Sequence, residues 1–114
     1  MEQNAWAIWI LEGDPARQMA FRQALEARWD LVFFQSLSEC ESRISSLETG
    51  RLDRKGEWPA AVLLELALPD GNAFRRVTRP ESELRTRLLD HVPWMVVSGT
   101  SDLDTIRAKI GRAH

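Results

Sequence analysis

At 114 residues the chain is long enough for one domain with a real core and too short for two. Its 44% hydrophobic and 28% charged residues are ordinary for a globular domain, and a net charge of −2 argues against a whole-domain electrostatic grip on nucleic acid or anionic membrane. A single cysteine, Cys40, excludes an internal disulfide; no Cys/His cluster offers a zinc site, and neither a secretion signal nor a membrane-spanning stretch is present, so a cytosolic protein is expected.

Residues Ala5 to Leu11 (AWAIWIL) are an apolar run of strand length, closed by Glu12-Gly13-Asp14-Pro15. Asp14 followed by Pro15 predicts a helix start, with Asp as N-cap and Pro at the first helical position. The spacing of Phe21, Leu25 and Trp29, with Ala20 and Ala24 beside them, predicts a helix from Pro15 to about Trp29. Arg17, Arg22 and Glu26 fall on its polar face and read as solvated surface. A short strand, Leu31 to Phe34, comes next. Ser38 and Glu41 then have capping-box spacing, predicting a helix that carries Cys40, Ile44 and Leu47 on one face and ends at Gly50. Cys40 is expected to be a small core residue, not a reactive thiol. Residues 51–57 (RLDRKGE) are a polar connection.

The chain is organised around Pro59 to Ala73, PAAVLLELALPDGNA. Ala60 to Leu66 is almost unbrokenly apolar, which predicts a strand covered on both faces of a parallel sheet. Pro59 before it and Leu-Pro-Asp-Gly after it confine the run to a strand's length. Glu65 lies at its carboxyl end, where open α/β sheets place their sites. Ala73 to Thr78 reads as a helical turn with Phe74 and Val77 inward, interrupted by Pro80. Helical spacing resumes from Glu81 to His91 through Leu84 and Leu88, with Glu81/Arg85 and Glu83/Arg87 as surface pairs. The arginines from Arg75 to Arg87 offer a phosphate-binding face; the interleaved Glu81, Glu83 and Asp90 favour a solvated, ion-paired one. Pro93 to Val97 (PWMVV) is a fourth apolar strand, followed by Ser98-Gly99-Thr100. A final helix, about Asp102 to Ile110, carries Leu103, Ile106 and Ile110 on one face. Among the five tryptophans, Trp9 is expected to be buried, and Trp58 and Trp94 to be partly exposed at sheet ends.

Strands alternating with amphipathic helices predict an α/β fold, a doubly wound parallel sheet with helices on both faces. All the strand ends then point one way, so Glu12, Asp14, Glu65 and Ser98 can converge. Converging carboxylates suit Mg²⁺; the plainer alternative is helix capping for Asp14 and isolated acids elsewhere.

On Ile10-Leu11-Glu12-Gly13-Asp14-Pro15, on Leu63-Leu64-Glu65-Leu66-Ala67-Leu68-Pro69-Asp70-Gly71 and on Pro93 to Gly99, the chain resembles the receiver domain of bacterial two-component response regulators. The resemblance covers essentially the whole chain and implies a flavodoxin-like strand order 2-1-3-4 with the fifth position vacant. In that family an acidic pair after the first strand binds Mg²⁺, and an aspartate ending the third accepts a phosphoryl group. A Ser or Thr after the fourth strand and a lysine after the fifth contact that group. The resemblance therefore puts Glu65 at the phospho-acceptor position, Ser98 at the switch position, and Glu12, with Asp14 as a substitute, at the metal position.

Three departures set this chain apart from the family. Glu65 replaces the aspartate, Gly13 takes the second acidic position, and the chain ends just after its fourth helix, without a counterpart to the fifth strand, its lysine or the last helix. A longer acid misplaces the attacking oxygen, and a lost ligand removes charge compensation for phosphoryl transfer. The expectation is a degenerate receiver that works independently of phosphorylation as a protein-interaction module in signalling or transcriptional control. It would be no enzyme and would need no cofactor, with Mg²⁺ held only through Glu12 and Asp14. The expected partners are a protein or output domain and a second copy, in a homodimer through the fourth strand and last helix; membrane and direct nucleic-acid contacts are not expected. Two alternatives stay open: a phosphoacceptor using Glu65 or Asp70, and a nucleotide- or nucleic-acid-binding α/β domain using the arginines. The second lacks a glycine-rich phosphate loop.

Overall fold

In the computed structural model, residues 6–49, 58–65, 67–69, 71–79 and 82–97 are described. Four strands, β1 (Ala7–Leu11), β2 (Asp30–Phe34), β3 (Ala61–Glu65) and β4 (Trp94–Val97), form one all-parallel sheet in the order β2-β1-β3-β4. This is the 2-1-3-4 order of a flavodoxin-like α/β fold. The central pair is in register at Ile10↔Leu63 and Leu11↔Leu64, and every residue of β1 and of β3 is buried. Unbroken apolar runs at both positions follow from cover on both faces.

That cover comes from two separate cores. On one face Ile8, Ile10 and Leu63 pack with Phe21 and Leu25 of helix α1 (Pro15–Leu25). On the other, Trp9, Leu11, Val62 and Leu64 meet Leu37, Cys40 and Ile44 of helix α2 (Leu37–Thr49), joined by Ala73, Leu84, Leu88 and Leu89. Alternation along each strand divides the runs between the two. Trp9 is 1% exposed, edge-on to Phe34 and stacked on the half-buried Trp58 at 6.4 Å; Trp94 is 39% exposed. All three tryptophans lie as the sequence predicts.

Several element bounds differ from the sequence reading. Helix α1 stops at Leu25, four residues short, and the amides of Arg28 and Trp29 both donate to the Leu25 carbonyl in the turn that leads to β2. Trp29 still packs on the α1 face, half-buried, from the turn. The capping box is Ser36 with Glu39, not Ser38 with Glu41: Ser36 Oγ accepts the Glu39 amide at 3.1 Å, and Glu39 Oε1 accepts the Gln35 amide at 2.6 Å. With Leu37 inside the helix, Leu37, Cys40 and Ile44 lie at i, i+3 and i+7 on one face, and all three are buried. After β3 the chain makes a small antiparallel hairpin, Ala67–Leu68 against Gly71–Asn72, which leads into the short helix α3 (Ala73–Thr78). Gly71, at φ +148°, is the described residue with a positive φ, a conformation suited to glycine.

The helix expected from Glu81 is, in its described part, α-helical at Glu83 and Leu84 and a π-helix over Arg85–Leu89, with the Asp90 amide donating to the Arg85 carbonyl at 2.8 Å. Leu84, Leu88 and Leu89 are all buried, and the wider turn draws the three onto a narrower arc than α-helical spacing would. The polar connection 51–57, the inward faces of Leu47, Phe74 and Val77, residues Asp70, Pro80, Glu81 and Ser98, and the final helix fall outside the described residues. Among the described residues no helix is long and apolar enough to cross a membrane.

Candidate functional site

The carboxyl ends of β1 and β3 place two glutamates side by side. Glu12 and Glu65 each lie two residues beyond the facing pair Ile10 and Leu63, hence on one face of the sheet, toward α1. Both are buried, at 2% and 7% exposure. The Glu12 amide donates to the Phe34 carbonyl at 2.9 Å, so the backbone here is still held by β2.

Each neighbour of Glu12 has a definite task. Its Oε2 accepts the Asp14 amide at 3.0 Å and lies 3.6 Å from Arg17 Nη1. Its carbonyl accepts Gln18 Nε2 at 2.6 Å. Its Oε1 is buried and meets no hydrogen-bond donor among the described residues. Burial, the largest influence, holds the Glu12 carboxyl above its ordinary value of 4.5; the Asp14 amide and Arg17 pull it down, while the charge and the hydrogen-bonding contact of Glu65 push it further up. When Glu12 is protonated, that contact is a carboxyl donating to its neighbour.

Asp14 is where the sequence puts it, as the exposed N-cap of α1: Oδ2 accepts the Arg17 amide at 3.0 Å. Its carboxylate is therefore committed to the helix end. Gly13 stands between the acids, and a Cβ built there would meet the Gln35 carbonyl oxygen at 3.2 Å, so a side chain would have to push the β2–α2 turn aside. Glu12, Gly13, Asp14, Arg17, Gln35, Leu68 and Pro69 surround an open cleft of about 400 Å³.

The donor set fits Mg²⁺ poorly. Glu12 Oε2 and Asp14 Oδ2 are taken by backbone amides, Gly13 contributes nothing, and among the described residues no group of three or more His, Cys, Asp or Glu could hold a metal ion. The structure thus brings Glu12 and Glu65 together, with Asp14 on the cleft wall in a capping role; Ser98 lies outside the described residues. The sequence reading missed Arg17 and Gln18, taking Arg17 for plain surface. A usable signal existed: both fall in the first turn after the Asp14 cap, and that turn stands directly over the end of β1.

The arginine-rich stretch is not a bare basic face. Arg76 pairs with Glu41 at 2.8 Å, Arg85 faces Asp90 at 3.9 Å and Arg87 faces Glu83 at 3.8 Å. Compared with known proteins, the chain matches no protein-family model, no curated protein and no solved structure.

Proposed function

We propose that this domain is a degenerate receiver-like interaction module that signals without being phosphorylated. The 2-1-3-4 parallel sheet supports that reading, as do a glutamate at the phospho-acceptor position of β3 and a second glutamate just after β1. The observation that carries it is the commitment of the acidic loop: Glu12 and Asp14 hold the turn and the helix start, and Gly13 leaves the second acidic position empty of side chain. Phosphoryl transfer to a carboxylate needs a divalent cation to offset the charge gathering on the phosphoryl oxygens. A buried carboxylate pair with no such ion repels that charge. On this reading the domain is no enzyme, and its output depends on what it contacts.

The contact surface we favour lies at β4, the outermost strand on its side among the described residues. Its Trp94 is exposed, and with Ala61, Val62, Leu63, Pro93 and Met95 it borders a shallow groove. A second copy is the proposed occupant, since the uncharged strand Trp94–Val97 pairs with itself without like-charge repulsion.

Incubation with a small phosphodonor or beryllofluoride in the presence of Mg²⁺ tests the central statement. No mass gain and no spectral change are expected. A stoichiometric mass gain, carried by Glu65, would reverse the proposal and make the domain a phosphoacceptor.

A further inference from the structure

We infer that the outer edge of β2 is a docking strand for an extended acidic segment of a partner protein, whose two neighbouring carboxylates meet Arg22 and Arg43 on opposite faces of the sheet. This edge lies opposite β4, and the inference stands without the receiver-like reading.

The backbone of β2 leaves a definite set of groups open. The Asp30 amide donates to the Trp6 carbonyl at 3.1 Å, and the Phe34 carbonyl accepts the Glu12 amide at 2.9 Å. Successive residues of a strand turn their N–H and C=O to alternate sides. Val32 therefore follows Asp30 and Phe34 toward β1, while Leu31 and Phe33 direct theirs outward. β2 is the last strand of the sheet on its side, and among the described residues neither Leu31 nor Phe33 makes another hydrogen bond. Leu31, Val32 and Phe33 are half-buried, so the edge is apolar as well as unpaired. Such an edge is a template for an added strand.

Two arginines decide which strand it accepts. The guanidinium of Arg22, from α1, lies over the Phe33 ring at 4.8 Å, and that of Arg43, from α2, lies over the Phe34 ring at 5.9 Å. Both residues are exposed, and among the described residues neither has an acidic partner. Arg17, Arg76, Arg85 and Arg87, by contrast, each face a carboxylate. Glu39, one turn before Arg43 on α2, accepts the Gln35 amide and forms no ion pair with it. Glu26, Arg28 and Asp30 are exposed together before and at the start of β2, so the unbalanced positive charge lies toward its carboxyl end.

Phe33 and Phe34 are neighbours that pack on opposite faces of the sheet. An added strand alternates in the same way, so one acid of a neighbouring pair reaches Arg22 and the other reaches Arg43. The ring beneath each guanidinium holds it in place and leaves N–H groups for a carboxylate. A nucleic-acid strand would use the charge and waste the outward N–H and C=O groups. An uncharged strand would do the reverse. An acidic strand uses both.

The test titrates the full chain with Ac-Thr-Val-Thr-Glu-Glu-Thr-Val-Thr-NH₂ and with the same peptide carrying Gln-Gln in place of Glu-Glu. The outward amides of Leu31 and Phe33 report strand pairing through slower exchange with solvent. Saturable shifts and slowed exchange are expected with the acidic peptide, and binding about tenfold weaker with the Gln-Gln peptide, the scale of one charge-assisted hydrogen bond. Arg22→Gln and Arg43→Gln should each weaken the acidic peptide by a similar factor; both residues are exposed, so neither change disturbs the core. Equal binding of the two peptides, no shift up to roughly 10 mM, or unchanged affinity in either variant would overturn the proposal. So would binding that leaves exchange at Leu31 and Phe33 unaltered, because the strand edge would then be unused. Protection of these amides that rises with protein concentration alone would assign the edge to a second copy, and tighter binding of oligothymidylate through the same arginines would assign it to nucleic acid; either result also defeats the proposal.

Discussion

The middles of β1 and β3 and their carboxyl ends are equally buried and chemically opposite. Ile10 and Leu63 face each other in register and are almost fully shielded from water; two residues further on, Glu12 and Glu65 are buried as well. In the first pair burial stabilises, at roughly 25 cal/mol per Å² of apolar surface. In the second it removes hydration from carboxylates, and Glu12 Oε1 meets no donor among the described residues to replace it, which destabilises. The sheet that gives the domain its stability thus carries, at one end, a pair of residues that lowers it. Such a local conflict is the usual mark of a site.

The strongest way to break this comparison is to attack the stabilising half. Leu64, fully buried on β3 against the α2 face, should cost about 2–5 kcal/mol when cut to Ala, measured by urea unfolding. A cost under roughly 1 kcal/mol would mean that the site collapses around the gap and that β3 is not the rigid centre described here.

The destabilising half predicts the opposite sign. Because the Glu12 carboxyl is raised above 4.5 in the folded chain, the fold binds a proton that the unfolded chain releases more easily. The stabilising effect of that proton is fully present below the unfolded value and is lost as pH rises through the folded one. Glu12→Gln should therefore be more stable than the native chain at pH 7, by about 1 kcal/mol, the scale of one unsatisfied buried group. The difference between the two should shrink steadily on acidification toward pH 4.5, the ordinary carboxyl value. Paired denaturation curves at several pH values read it directly. A variant less stable than the parent at neutral pH would show that charged Glu12 supports the fold, and the contrast between strand middle and strand end would fall.

How far the sequence announced these features depends on the range of the physics behind each. Patterns set by one strand or one turn were legible: the apolar run at Ala61–Glu65, the cap at Asp14, the buried Trp9 and the placement of Glu65 beside Glu12 by parallel order. What failed depended on choices between local alternatives. Ser36 and Ser38 both offer cap chemistry, and it is Ser36 whose hydroxyl accepts the Glu39 amide, with Leu37 of the first turn buried in the core. The π-turn at Arg85–Leu89 has no propensity signal in the sequence, although the three leucines it carries inward are legible as apolar. Arg17 looked like surface because a polar-face position says nothing about which end of the sheet it overhangs. Ion pairs across elements, such as Arg76 with Glu41, are invisible to spacing within one helix.

The smallest predicted effects compare two glycines that are constrained for different reasons, Gly71 in the hairpin and Gly13 on the cleft wall. Gly71 has φ +148°, where any Cβ strains the backbone, yet the nearest atom a Cβ would meet, Leu37 Cδ1 at 3.8 Å, is at ordinary contact distance. Gly13 has no such φ, but its Cβ would stand 3.2 Å from the Gln35 carbonyl oxygen. Gly71→Ala should therefore cost more, about 1–2 kcal/mol of backbone strain. Gly13→Ala needs only a few tenths of an ångström from the turn at Gln35, and the entropy that alanine removes from the unfolded chain offsets part of the cost, leaving about 0.5 kcal/mol. Urea unfolding of the two variants gives the order. If Gly13→Ala proved the costlier change, the turn between β2 and α2 would be rigid, and the cleft wall at Gln35 would be fixed in place instead of yielding to a side chain at position 13.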